Sequence, residues 1–456
     1  MKGAQRDMRQ TAEQGKWNVR VWALAGPIMI SNLSTPLLGA VDTAVVGHLP
    51  DPAYIGGVAV GAIIFNFLYW GFGFLRMGTT GFTAQAYGAG EADELCATLA
   101  RPLILAVILG ALLIALQMPI GWLALRLFEA SDQVEALAES YYRIRIWSAP
   151  AALANYAMLG WLLGIRRAGA VLILQVALNG TNIVLDLVFV LGLGWGVEGV
   201  ALASLLAEVS ALCIGLAMVA RVLKKTGGAW NWARIGERRR VAALFRANAD
   251  ILVRTLCLLS AFAYFTARGA RMGDVILAGN AILIQLHSFM AYGLDGFAHA
   301  AEVLAGNALG ARSRRAFRQA VKVSTAWAGG TSLLFTSLFL ALGGPIIDLF
   351  TDLAEVRAAA RDYLPWLVVS PLISVWSFQL DGIFIGTTRT ASMRNAMLLS
   401  LAVFLLACWL LIPAFHNHGL WLSLTIFMAA RAITLGFYYP ALERVVGAEP
   451  AAATPS

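Results

Sequence analysis

The sequence predicts an all-α polytopic membrane protein, with 12 transmembrane helices in two six-helix lobes related by an internal repeat. Three observations carry that prediction. Of 456 residues, 59% are hydrophobic and 13% are charged, roughly half the charged share of a soluble domain. The apolar residues gather in runs long enough to cross a bilayer, which takes about 20 residues as a helix. The second half of the chain also echoes the first at one fixed offset.

The runs fall near residues 21–46, 55–82, 99–125, 140–164, 168–193, 197–221, 243–267, 275–304, 320–345, 361–386, 394–414 and 419–440. Residues 1–20 are polar and basic. The run that follows is too long for a secretory leader and lacks an A-x-A-like exit, so it is expected to remain as the first span. With an even number of spans both termini share one side of the membrane. Of 34 Lys and Arg residues, 24 fall on that side and seven opposite: Arg126, Arg143, Arg145, Arg268, Arg271, Arg357 and Arg361. The remaining three, Arg76, Arg254 and Arg431, fall within spans. The positive-inside rule then places both termini and the long 221–246 loop in the cytoplasm. The net charge of +8 reflects topology, and a nucleic-acid partner is not expected.

Shifting the sequence by 222 residues lays "GGVAVGAIIFNFLYWGFGF" (56–74) over "AGNAILIQLHSFMAYGLDG" (278–296), and "GWLLGIRR" (160–167) over "GIFIGTTR" (382–389). Six spans per copy give both halves the same orientation, as in parallel transporter repeats that share a substrate cavity and alternate in access. The expected organisation is a segment 1–20, an N-lobe 21–222, a basic linker 223–242, a C-lobe 243–440 and a tail 441–456.

Ionisable groups inside a span are costly and by default functional. Asp42 is the only formal charge between Val21 and Val46, a carboxyl that could take up a proton on one side and release it on the other. On the fifth span Asn179, Asn182 and Asp186 sit at i, i+3 and i+7, one helical stripe able to hold a protonated acid or a cation. Pro27 permits a kink in the first span. In the second half Asp295 and Glu302 share a face and Asp381 opens "DGIFIGTTR"; these three are candidate substrate-binding groups. Asp250 and Arg254 are expected to pair with each other at i, i+4, and Glu208 is left open between roles. Phe65, Tyr69, Tyr264, Phe289 and Tyr292 are candidate cavity walls for apolar cations.

The set "P27…VDTAVVGHL", "N182-I-V-L-D186" followed by "GWGVEGVALAS", "LDGFAHAAEVLAGNALGA" and "LDGIFIGTTRTASMRNAM" resembles the DinF-like branch of the multidrug and toxic compound extrusion (MATE) family. The likeness runs through nearly the whole chain. It implies a two-lobed, twelve-helix antiporter of the bacterial inner membrane that exports drugs by using an inward proton or sodium gradient. By that resemblance Asp42 is the N-lobe coupling residue, Asn182 and Asp186 share its site, Ser204 fills a helix-six threonine position, Asn155 a helix-four asparagine, and Pro27 is the bending proline. The sodium-coupled branch carries acids on helices seven and ten. Asp381 could supply the second, but Leu256 to Phe265 contains none, which favours protons acting at the N-lobe.

The expected cargo is small-molecule drugs, chiefly organic cations, handled by a monomer in the bilayer with no cofactor and no metal. A sodium-coupled antiporter and a lipid-linked oligosaccharide flippase are the alternatives within this superfamily. The flippase would be expected to have a more basic cavity. The scattered cysteines (Cys96, Cys213, Cys257, Cys408) and histidines (His48, His287, His299, His416, His418) form no catalytic or metal-ligating set, so an enzyme is not expected.

Overall fold

The computed structural model describes residues 2–47, 49, 51–128 and 130–446; His48 and the tail beyond residue 446 lie outside these. Among the described residues the chain is helix and short turns, without strand. The first half comprises α1 (Lys2–Val46), α2 (Pro52–Gly71), α3 (Phe74–Ala89), α4 (Ala92–Ala115), α5 (Gln117–Arg126), α6 (Asp132–Arg145), α7 (Ala149–Gly164), α8 (Ala168–Asp186) and α9 (Gly196–Thr226). A short α10 (Trp232–Ile235) leads to α11 (Arg238–Ala270), α12 (Asp274–Gly310), α13 (Arg314–Phe350), α14 (Ala354–Gly386) and α15 (Thr390–Val445). Every predicted span lies in this series, some as two consecutive helices: α2 with α3, α4 with α5, and α6 with α7. The last two spans form α15, which is interrupted at His416 (φ 48°, ψ −125°).

The helices begin and end where local chemistry dictates. Asp51 caps α2 by accepting from Ala53 N at 2.8 Å, with Pro52 at the first helical position. That backbone bond, with a second from Gln133 Nε2 (2.7 Å), holds the Asp51 carboxyl below its usual range. Left-handed residues close several helices, and they repeat. Gly90 and Arg312, Arg166 and Thr388, Gly194 and His416 all have positive φ, and each pair is 222 residues apart. A residue with a Cβ adopts this conformation at a cost of about 1–2 kcal/mol, so the shared positions reflect a shared backbone path. The closest helix contacts repeat too. Gly160 packs on the Arg76 carbonyl and Gly382 on that of Ala298, leaving no room for a Cβ. Small residues at such crossings let membrane helices approach through their backbones.

Large apolar side chains face outward in numbers that water would not tolerate, among them Phe437 at 80% and Leu349 at 86% exposure. Among the described residues, nine helical segments are long and apolar enough to cross a membrane. The chain divides into two compact units, one of Ile30–Phe245 and one of Met1–Met29 with Arg246–Ser456. The division cuts α1 just past Pro27 and α11 near its start. In the second unit Trp22 meets Phe297 and Trp327 edge-on, at 5.3 and 5.2 Å between ring centres, and Asn18 accepts from Trp327 at 3.1 Å. In the first unit the linker is fastened to α4. Buried Arg101 donates to the carbonyls of Ile235 (3.0 Å) and Arg234 (2.6 Å) and to Glu94 (2.7 Å), and Glu94 also meets Arg240 at 2.8 Å. Linker charges that looked purely topological therefore also hold the linker in place.

The Gly382 crossing yields a test. Gly382→Ala forces the α12 and α14 backbones apart at an expected cost of about 1–3 kcal/mol, lowering the thermal unfolding midpoint in detergent. Gly436→Ala, with nothing within 4 Å of the added methyl, does not lower that midpoint and raises it slightly, since alanine suits a helix interior better than glycine.

Candidate functional site

The polar stripe on α8 is buried: Asn179, Asn182 and Asp186 are 6%, 1% and 0% exposed. Immediately after Asp186 the helix widens into a π-turn over Leu187–Gly192, a local irregularity that often marks functional positions. Asp42 of α1 faces Asp186 within hydrogen-bonding range. No N–H or hydroxyl among the described residues donates to Asp42 Oδ1 or to either oxygen of Asp186. Two carboxylates in contact repel, and the contact becomes a hydrogen bond only when one of them carries a proton.

Around the pair lies a connected shell. Asn182 Nδ2 donates to Ser204 Oγ of α9 at 3.3 Å, and Arg145 of α6 donates to the same Oγ at 3.2 Å. Arg145 also donates to the Tyr141 hydroxyl, and its guanidinium lies 5.3 Å from the Phe65 ring centre and 5.5 Å from that of Tyr141. One turn beyond Ser204, Glu208 accepts from Asn155 of α7 at 2.7 Å. Tyr69 bonds Ser148 at 2.9 Å. The cluster thus holds three carboxyls, of Asp42, Asp186 and Glu208, around one guanidinium.

Of the residues expected from sequence, Asp42, Asn182, Asp186 and Ser204 meet here, and Phe65 and Tyr69 lie beside them. Asn155 reaches the cluster through Glu208, the acid whose role the sequence leaves open. Asn179 donates instead to Ser34 at 2.8 Å. Pro27 lies in the other unit, where α1 stays helical through it. Arg145 and Tyr141 also belong to the cluster, and the sequence pattern does not single them out. The charge count assigns Arg145 to an outer loop, although the run 140–164 contains it, four residues after Tyr141.

The second-half candidates do not converge on one open site. Asp381 is held between Arg254 (2.5 Å) and Arg431 (2.6 Å), so its charge is already balanced by two internal cations. The expected Asp250–Arg254 pair does not form. Asp250 meets Arg394 at 2.7 Å and Thr390 at 2.9 Å, because partners on α15 approach it more closely than its own helical neighbour. Glu302 is fully buried against His299 at 2.8 Å. Asp295 is half-buried, within electrostatic reach of Tyr292 and Arg431. Phe289 and Tyr292 meet edge-on at 6.5 Å, as do Tyr264 and Phe404 at 6.0 Å.

The profile of the MatE family matches this chain twice, over residues 27–188 and 251–410. The chain belongs to the MatE family. The two matches keep the 222-residue spacing to within two residues. The chain is 46% identical to DNA damage-inducible protein F of Escherichia coli K12, over 91% of its own length and 90% of that protein. It is 25% identical to a probable multidrug resistance protein NorM of Deinococcus radiodurans, over 90% and 92% of the two chains. Its fold matches an outward-facing multidrug resistance MATE family transporter with a TM-score of 0.84 at 20% identity, covering 94% of this chain and 96% of the other.

Asp381→Asn leaves two buried guanidiniums without their carboxylate. The expected cost is about 3–5 kcal/mol, read as a lower unfolding midpoint in detergent, whereas Asp352→Asn at the surface changes little.

Proposed function

We propose that this MatE-family chain is a secondary active multidrug transporter that exchanges cytoplasmic cationic or amphipathic compounds for protons by alternating access. The observation that carries this reading is the contact between the half-buried Asp42 and the buried Asp186, two carboxyls on membrane-span helices with no other donor on three of their oxygens. Such a pair is a place to hold one proton. The relatives' names support a drug-exporting role, and the bacterial relatives support the inner membrane. The Lys and Arg distribution supports cytoplasmic termini.

In this reading a proton from outside joins the pair, takes one of its two negative charges away and turns the repulsion into a hydrogen bond. The carboxyls then rearrange against Asn182 and Ser204, α1 bends near Pro27, and the N-lobe contracts on its cargo. The ring faces of Phe65 and Tyr69 favour cations with apolar bodies. Loss of the proton to the cytoplasm restores an anionic site for the next cation.

The test is efflux of ethidium from proteoliposomes with proton and sodium gradients imposed separately. A pH gradient is expected to drive the wild type, and Asp42→Asn and Asp186→Asn are each expected to fall to the level of protein-free liposomes while remaining monodisperse. Full proton-driven efflux by either variant would overturn the assignment, and efflux driven only by sodium would favour the sodium-coupled alternative.

A further inference from the structure

Arg145 stands within electrostatic reach of three acids, yet among the described residues it forms an ion pair with none of them. Its two hydrogen bonds go to neutral hydroxyls, those of Tyr141 and Ser204, and its buried Nε has no acceptor. Four buried oxygens nearby, Asp42 Oδ1, Asp186 Oδ1 and Oδ2, and Asn182 Oδ1, have no donor. Carboxylate and amide oxygens grouped in this way are the ligands that hard cations seek. The guanidinium is the cation already present, and guanidinium tolerates burial better than a strongly hydrated ammonium.

We propose that Arg145 is a built-in counter-cation that reserves the Asp42–Asp186 pair for protons, and for organic cations able to displace it, while closing the pair to alkali-metal ions. The inference rests on the proton reading above. With a proton on the pair, the guanidinium stays on Tyr141 and Ser204, as in this structure. When the proton leaves, the pair gains a second negative charge and draws the guanidinium toward it, and the Ser204 hydroxyl is left to Asn182. A sodium ion entering then would meet a positive charge already seated among its ligands. An organic cation can instead bind the carboxylates and return the guanidinium to its hydroxyls. The groups facing Arg145 are Asp42 on α1, Tyr69 on α2, Tyr141 on α6, Tyr156 on α7, Asp186 on α8 and Glu208 on α9, with Arg76 on α3 beyond Tyr156.

The experiment measures ethidium efflux against pH, with and without a sodium gradient, for wild type, Arg145→Gln, Arg145→Lys and Tyr141→Phe. A guanidinium favours the ionised form of a nearby carboxyl, so removing it is expected to raise the pH midpoint of efflux by about one to three units. Arg145→Gln should also respond to a sodium gradient and gain a sodium-dependent rise in unfolding midpoint in detergent. Arg145→Lys keeps the charge and should stay indifferent to sodium. Tyr141→Phe frees the guanidinium to approach the acids and should lower the midpoint, a shift that does not depend on Arg145→Gln folding well. A wild type indifferent to the pH gradient overturns the proton reading. A proton-driven wild type whose Arg145→Gln and Tyr141→Phe forms keep its midpoint and its indifference to sodium overturns this inference alone.

Discussion

A charge inside a membrane must be neutralised where it stands, and this chain does so in more than one way. Asp381 is neutralised permanently by two arginines, and Asp250 by Arg394 with the Thr390 hydroxyl. Glu94 is neutralised by Arg101 and Arg240, and in being so it fastens the linker to α4. Apart from Glu94–Arg101, which lies within α4, these pairs join helices distant in sequence, and they are unfavourable to break because a partner left alone would be an unbalanced buried charge. Asp42 and Asp186 are different. Their contact brings together two groups of like charge and leaves most of their oxygens open, so what neutralises them must arrive and leave. That contrast separates the carboxyls that build the fold from those able to do work across it.

The scaffold under both kinds of carboxyl is symmetric, and the chemistry placed on it is not. The 222-residue repeat survives in the left-handed helix ends and in the glycine crossings of both halves. On that scaffold Asp42 corresponds to Tyr264, Asn182 to Phe404 and Asp186 to Cys408. Tyr264 and Phe404 meet edge-on at 6.0 Å, so the second half closes with an aromatic contact the region where the first half keeps its open acids. Backbone geometry was retained through duplication because crossings such as Gly160 and Gly382 admit no side chain. The polar lining, under no such steric constraint, was free to diverge.

The same physics explains what the sequence made legible. Spans and repeat could be read because hydropathy and glycine spacing are local signals, and the structure places helices at each predicted span. The grouping of Asn182 with Asp186 followed from helical periodicity, and Ser204 and Asp42 joined them through the family resemblance. Pairing partners were not legible. Asp250 has Arg254 one turn away on its own helix, yet the rotation of α15 brings Arg394 to it and leaves Arg254 to Asp381. No period along one helix encodes that rotation. Arg145 was lost for a related reason. Charge counting treats an arginine near a span end as a marker of the aqueous side, whereas a long side chain can turn inward and carry its charge into the bundle.

That inward turn bears on how a site among acids can discriminate between cations. A cage of oxygens alone binds whatever positive species fits, a proton or a metal ion alike. A resident guanidinium changes the comparison, because a proton needs one oxygen and leaves room for the guanidinium, whereas a metal ion needs several and does not. Selectivity then comes from what the site already holds. It also places the determinant on α6, away from the helices α1 and α8 that carry the acids themselves.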